Sequence, residues 1–320
     1  MKRISLVIPM YNEEAMVSLL FDTLKEKVIK PLSSKYEVEV VAVNDGSKDK
    51  TLVLLKETLN HFPELVIVDL SRNWGQEPAI RAGLLTASGD CVIPMDADLQ
   101  DPPEIIAQMV EMWEEGYEVV NAVRVSRKKD SSFKRNTAGI FYRFMDKMSP
   151  KVKIPNNVNN FRLMDRRVVD EINALSESNR VLRVEIPFVG FKTGYVEIAR
   201  AKRAKGESHY PLSAMINLAK NSLVSVSTKP LEFSIKISVF ILVLFALSSI
   251  TELVFFILKL CSVLPNFSEL ALWAWLVINV ILFLGLLLSG ILTIQSIYLG
   301  KTAEESTGRP SVIIREVIKK

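Results

Sequence analysis

Apolar residues recur along the first 125 positions in short runs separated by longer stretches with helical spacing. That is the pattern of β-α units wound around a mainly parallel sheet. The runs ISLVIP (4–9), VEVVAVND (38–45), LVIVDLS (65–71) and DCVIPMDAD (90–98) predict strands. Between and after them, Glu13 to Ile29, Lys50 to Asn60, Gln76 to Ala87 and Pro103 to Glu115 carry apolar positions at helical spacing. Each strand ends in polar residues, and ligands of open α/β sheets bind at those carboxyl ends. Asn12, Asp45, Arg72 and Asp96 to Asp98 are therefore expected to converge on one crevice.

The pattern then changes. Residues 131–149 interleave Lys and Arg with Phe133, Ile140, Phe141, Tyr142, Phe144 and Met148. A helix there is amphipathic with a basic rim, suited to a membrane interface, or equally to packing on the sheet. A second such segment spans 211–229, just after Arg200, Lys202, Arg203 and Lys205, and its position before an apolar span favours the interface. Ile237 to Leu258 is apolar except for Glu252, and Leu270 to Gly300 has no charged residue. Both exceed the roughly 20 residues that cross a bilayer. The expected organisation is a domain over 1–230, spans at about 237–258 and 270–298, and a tail over 303–320. The short link from Lys259 to Glu269 makes the spans a hairpin, with domain and tail on one side. Lys and Arg crowd that side, which predicts a multi-pass protein of the cytoplasmic (inner) membrane with its domain in the cytoplasm. Glu252 is close enough to its helix end to reach the interface, so a structural role is expected.

Composition agrees with this segregation: 49% of the 320 residues are hydrophobic, yet 24% are charged. A net charge of +4 is too small to imply nucleic-acid binding. Cys91 and Cys261 match no metal or redox spacing and are expected to be small buried hydrophobes in a reducing compartment, with no disulfide. Pro9, Glu13 and Glu14 interrupt the N-terminal apolar run before it reaches signal length, so it reads as the first strand.

The chemistry centres on Asp96-Ala97-Asp98. Two carboxylates two residues apart at a strand end can hold one divalent cation while phosphate oxygens complete an octahedron, and a diphosphate leaving group needs that neutralisation. A lone D-x-D also arises in surface turns, but this one follows an apolar strand in step with Asp45 and Asn12.

VIPMYNEE, VVAVNDGSKDKT, LSRNWGQEPAIRAGLLTASGD and MDADLQDPPE resemble, in order and spacing, the A-type inverting glycosyltransferases that include dolichol-phosphate mannose synthases. The resemblance implies a GT-A (nucleotide-diphospho-sugar transferase), Rossmann-like α/β domain. It implies that Pro9, Tyr11, Asn12 and Glu13 wrap the nucleoside and that Asp45 accepts from the base, with Asn73, Gly75 and Ala97 in the same nucleotide-sugar set. Asp96 and Asp98 then handle diphosphate and Mg²⁺ or Mn²⁺, with Gln100 alongside. Read without the resemblance, Pro9 and Tyr11 are turn residues and Asp49 a helix cap.

FKRNTAGIFYRFMDK, NVNNFRLMDRRVV, VGFKT, RAKRAKGESHY and the two spans look like bacterial and phage polyprenyl-phosphate (bactoprenol) glucosyltransferases that work beside a flippase in O-antigen modification. This implies transfer of a sugar, glucose foremost, from a UDP-sugar to undecaprenyl phosphate. Galactose, N-acetylglucosamine or mannose donors and a catalytically silent scaffold are the alternatives. Arg124, Lys134 and Arg135 are candidates for the lipid phosphate, and Arg200, Arg203 and Ser208 for the donor diphosphate; attraction to anionic membrane lipids explains each as well. Related enzymes carry Gly-Asp-Phe-Arg-Leu where this chain has Asn159-Asn160-Phe161-Arg162-Leu163, so a carboxylate sometimes proposed as a base is here an amide. Asn160 and Arg162 are retained as catalytic candidates with Asp96 and Asp98, because a lipid phosphate with a second pKa of about 6 is already largely dianionic at pH 7. Two spans anchoring a bulky domain suggest a homo-oligomer.

Overall fold

The computed structural model describes residues 1–124, 158–175, 182–199, 229–261 and 269–320. These form two compact units, one of residues 1–222 with 309–320 and one of residues 223–308.

The first unit alternates strands and helices. β1 (Lys2–Met10) leads to α1 (Val17–Leu24), which continues through a π turn at Lys25–Ile29 and a last helical turn at Lys30–Leu32. Then come β2 (Tyr36–Asn44), α2 (Thr51–Thr58), β3 (Leu65–Leu70), α3 (Gln76–Thr86), β4 (Cys91–Pro94) and α4 (Ile105–Glu114). All four strands and four helices read from the apolar pattern are present. Four more strands and two short helices complete the unit: β5 (Val119–Arg124), β6 (Val158–Asp165), α5 (Arg166–Ala174), α6 (Leu182–Val189), β7 (Thr193–Ile198) and β8 (Ile314–Lys319). The strands form one mixed sheet in the order β7-β5-β6-β4-β1-β2-β3-β8. β1 to β4 are parallel to one another, while β6 lies antiparallel to β4 and β5, and β8 antiparallel to β3.

Side chains alternate across a strand with period two, and here both faces are covered. Ile4, Leu6 and Ile8 join one core with Leu20, Leu24, Met109 and Val110. Val7 lies in the other, with Val41, Val43, Ala79, Ile80 and Val168. Gly83 on α3 permits this packing, because a Cβ there would sit 2.2 Å from Val7 Cγ1.

The second unit holds α7 (Lys229–Leu260) and α8 (Glu269–Ser306), which pack on each other and contain apolar stretches at Val239–Leu258 and Trp273–Gly300 long enough to cross a membrane. Glu252 is buried in a recess with Ser249, Leu253, Phe256, Trp273 and Leu276, because it faces the partner helix. Cys91 is buried, but Cys261 is exposed, since it lies just past the end of α7 where no helix covers it. The segment after residue 303 likewise contains an unanticipated element, the strand β8.

Candidate active site

The chain order places β2 and β3 to one side of β1 and β4 to the other, so the sheet changes winding direction between β1 and β4. Such a switch point opens a crevice at the carboxyl ends of the strands. Residues 11–14, 45–48, 71–75 and 95–98 leave the strands there.

Asn12 turns the chain after β1 with φ 54°, and its side-chain oxygen accepts from the Lys48 amide at 2.8 Å. The amides of Asn12, Glu13 and Glu14 donate in turn to Ser47 Oγ, Thr51 Oγ1 and Asp49 Oδ2, stitching the loops after β1 and β2 together. Tyr11 is 43% exposed, which leaves its ring available to a planar ligand. Asp45 is buried at the end of β2, where its two carboxylate oxygens accept from the amides of Trp74 at 2.7 Å and Gly75 at 2.9 Å. Burial pushes its pKa above the ordinary carboxylate value, and those two amides oppose the shift. Each carboxylate oxygen keeps a second lone pair, so the loop-anchoring bonds are compatible with accepting from a base as well. Gly46 follows with φ 64°, and a Cβ there would lie 2.4 Å from the Arg72 carbonyl carbon. Arg72 covers the Trp74 ring at 3.7 Å from the centroid. Asn73 stands exposed beside it.

Beyond β4, Asp96 Oδ1 accepts from Gln76 Nε2 at 2.8 Å, and the buried Asp98 accepts from the Gln100 amide at 3.1 Å, holding a turn in which Leu99 has φ 53°. Among the described residues no group of three or more His, Cys, Asp or Glu gathers, and Asp96 and Asp98 are the two carboxylates that directly follow β4. Their all-oxygen donor character suits Mg²⁺ or Mn²⁺.

The second half of the sheet feeds the same edge. β5 runs parallel to β4 with β6 antiparallel between them, so Arg124 at the end of β5 and Asn160 near the start of β6 lie on the crevice side. Asn160 Nδ2 donates to Glu77 Oε1 at 3.3 Å, and Glu77 Oε2 accepts from the Leu182 amide at 3.3 Å. Arg162 is 2% exposed; burial pushes its pKa down to about 9, Arg183 adds to the fall and Glu77 opposes it. It remains a cation at pH 7. Lys134, Arg135, Arg200, Arg203, Ser208 and both expected interfacial segments up to residue 228 lie outside the described residues. Gln76 and Glu77 were missed in the sequence; their signal was Gly75 opening a helix directly after the loop that meets Asp45.

A switch-point crevice lined by strand-end carboxylates places this chain among the open-sheet α/β proteins that bind their ligands at the carboxyl ends of the strands. The particular family follows from sequence: residues 5–173 match glycosyl transferase family 2, and the chain belongs to that family of glycosyltransferases. It is 38% identical to the bactoprenol glucosyl transferase of Shigella phage SfV over 98% of each chain. It is also 36% identical to a prophage bactoprenol glucosyl transferase homolog of Escherichia coli (strain K12), over 99% of this chain and all of that one. The glycosyltransferase YkcC of Bacillus subtilis (strain 168), described as uncharacterized, is 38% identical over 98% of this chain and 93% of its own. Among solved structures, Mycobacterium tuberculosis glucosyl-3-phosphoglycerate synthase with Mn²⁺, UDP and glucosyl-3-phosphoglycerate superposes with TM-score 0.49 at 19% identity, over 70% of this chain and 78% of that one.

Proposed function

We propose that this glycosyltransferase moves a sugar, glucose foremost, from a UDP-sugar to undecaprenyl phosphate at the cytoplasmic face of the inner membrane, with inversion. The observation that carries the reading is the alignment of Asp45, Asp96 and Asp98 along one carboxyl edge, in a chain that also has two helices able to span a bilayer. The names of the bactoprenol glucosyl transferases that match nearly the whole chain support it.

In the proposed reaction a lipid-phosphate oxygen attacks the anomeric carbon, the C1–O bond to the diphosphate breaks, and UDP leaves with the electron pair. Tyr11 stacks on the base and Asp45 accepts from it. Asp96 and Asp98 would hold a divalent cation, which when bound would neutralise charge on the departing diphosphate. Asn160 has no acidic proton to exchange and hydrogen-bonds sugar or acceptor, while Arg162 supplies a fixed positive charge behind it. A phosphate with a pKa of about 6 needs positioning more than deprotonation. Arg124, Lys134 and Arg135 meet the lipid phosphate, and Arg200, Arg203 and Ser208 the donor diphosphate. Other donor sugars are the alternative, since hydroxyl contacts decide among them.

Purified protein incubated with radiolabelled UDP-sugars, undecaprenyl phosphate and Mg²⁺ or Mn²⁺ should yield a labelled lipid, abolished in Asp98→Ala. No lipid-linked product from any sugar would overturn the assignment in favour of a silent scaffold.

A further inference from the structure

The outer edge of the sheet bears on the donor pocket. β8 pairs with β3 in regular antiparallel register from Val66 to Asp69, and the register then slips, so that Asp69 faces Glu316 while Leu70 faces Ile314. Arg315 is the extra residue of this bulge. Bulges re-aim a side chain, and they recur beside active sites. Here the guanidinium reaches two groups at the end of β3: Asp69 Oδ2 at 3.1 Å and the Ser71 carbonyl at 2.8 Å. The Ser71 amide donates to the Ile313 carbonyl at 3.0 Å. Ser71 Oγ accepts from the Trp74 indole at 3.1 Å, and the Trp74 amide donates to Asp45. A second branch passes inward. Asp69, 3% exposed, accepts from Asn44 Nδ2 at 2.7 Å; Asn44 Oδ1 accepts from the Ser47 amide, and Ser47 Oγ accepts from the Asn12 amide. Every loop assigned to the nucleoside is thus connected, through one to four hydrogen bonds, to a strand that follows the second apolar helix.

We propose that Arg315 is a positioning residue for the donor: from the β8 bulge it fixes the 71–75 and 44–48 loops in the conformation that receives the nucleotide. The proposal rests on the donor-site reading above. Donor affinity then depends on β8, while the reacting groups at Asp96, Asp98 and Asn160 do not touch it.

The test uses the full chain in lipid nanodiscs, as wild type, Arg315→Ala and Arg315→Lys. Donor and acceptor KM, kcat, UDP affinity by calorimetry and melting temperature are measured together. Loss of a charge-assisted pair at a buried carboxylate should raise donor KM and UDP Kd about tenfold in Arg315→Ala. The acceptor KM should hold, and kcat at saturating donor should stay within about twofold. Arg315→Lys keeps the charge but not the forked geometry and should fall between the two. A folded Arg315→Ala with wild-type UDP affinity, or with kcat and both KM values degraded together, overturns the proposal. Should Arg315→Ala not fold, Ser71→Ala cuts the Trp74 link while leaving β8 paired; the same donor-specific rise is expected and its absence counts against the idea. A wild-type protein that binds no UDP sinks the donor-site assignment instead.

Discussion

Asn160→Asp separates an amide that positions from a carboxylate that would act as base. The amide donates to Glu77 Oε1 at 3.3 Å, so the substitution sets a second carboxylate against an existing one. Two unit charges about 3.3 Å apart repel by about 5 kcal/mol at an effective dielectric near 20. The pair escapes by holding one proton, which limits the cost at pH 7 to about 4 kcal/mol, roughly 3 pH units at about 1.36 kcal/mol each. Asn160 and Glu77 are only partly buried and the Arg162 guanidinium is close enough to feel Glu77, so about 1–2 kcal/mol should survive. The variant's folded carboxyl pair then titrates above its unfolded value. The folded state holds the extra proton, so the variant approaches wild-type stability near pH 4 and falls behind as pH rises through the pair's folded pKa. Melting curves at matched pH should show a deficit of about 2–8 °C at pH 8 that shrinks at pH 5. An identical deficit at both pH values would refute the charge argument. A gain in turnover of orders of magnitude at saturating substrates would refute the view that this site works without a base.

Gln76→Ala removes the bond to Asp96 Oδ1; the half-saturating concentration of Mg²⁺ or Mn²⁺ in the transfer assay should rise about tenfold with the melting temperature unchanged. Gly46→Ala forces a Cβ onto the Arg72 backbone at a positive φ, and should cost about 1–3 kcal/mol and weaken UDP binding in calorimetry. At Asp165, burial raises the pKa, but bonds from the Trp113 indole and Arg167 outweigh it and the net shift is downward. Asp165→Asn should therefore lose about 1–2 kcal/mol near neutral pH, a difference that fades in acid melts as the pH falls below the ordinary carboxylate range and the wild-type carboxyl protonates. Cys91 is buried and Cys261 exposed; on the proposed topology an impermeant maleimide should label Cys261 from outside the cytoplasmic membrane, and Glu316→Cys only in inverted vesicles.

The helix and strand pattern up to residue 115 was legible because strands buried on both faces are almost continuously apolar and the helices between them show a clean stripe. The edge strand β8, IREVIK, was not, because an edge is solvated and its charges hide the period. Its role arises only from pairing with residues some 250 positions earlier. β6 was noticed as a motif through Asn160 and Arg162 rather than as a strand, since its two asparagines break the apolar run. The position of Asp96 and Asp98 just past β4 was legible from the apolar run that precedes them. Glu77 was not, because one acid in a first helical turn reads as a favourable dipole contact until β6 brings Asn160 beside it.

β8 also constrains the topology of the apolar helices. The strand that precedes them in the chain by many residues, β3, and the strand that follows them, β8, exchange backbone hydrogen bonds in one sheet. Two segments so paired share one aqueous compartment, so whatever lies between them crosses a bilayer an even number of times. If α7 and α8 both cross a bilayer, the pairing requires a hairpin, an argument from backbone pairing rather than from counting Lys and Arg. On the proposal above, the same pairing would make the segment after α8 part of the donor pocket's frame through Arg315. A lipid-phosphate acceptor lies at the membrane surface and a nucleotide-sugar donor in water. A chain that returns from the second apolar helix to brace the proposed donor loops would tie the two substrates' sites to one covalent element.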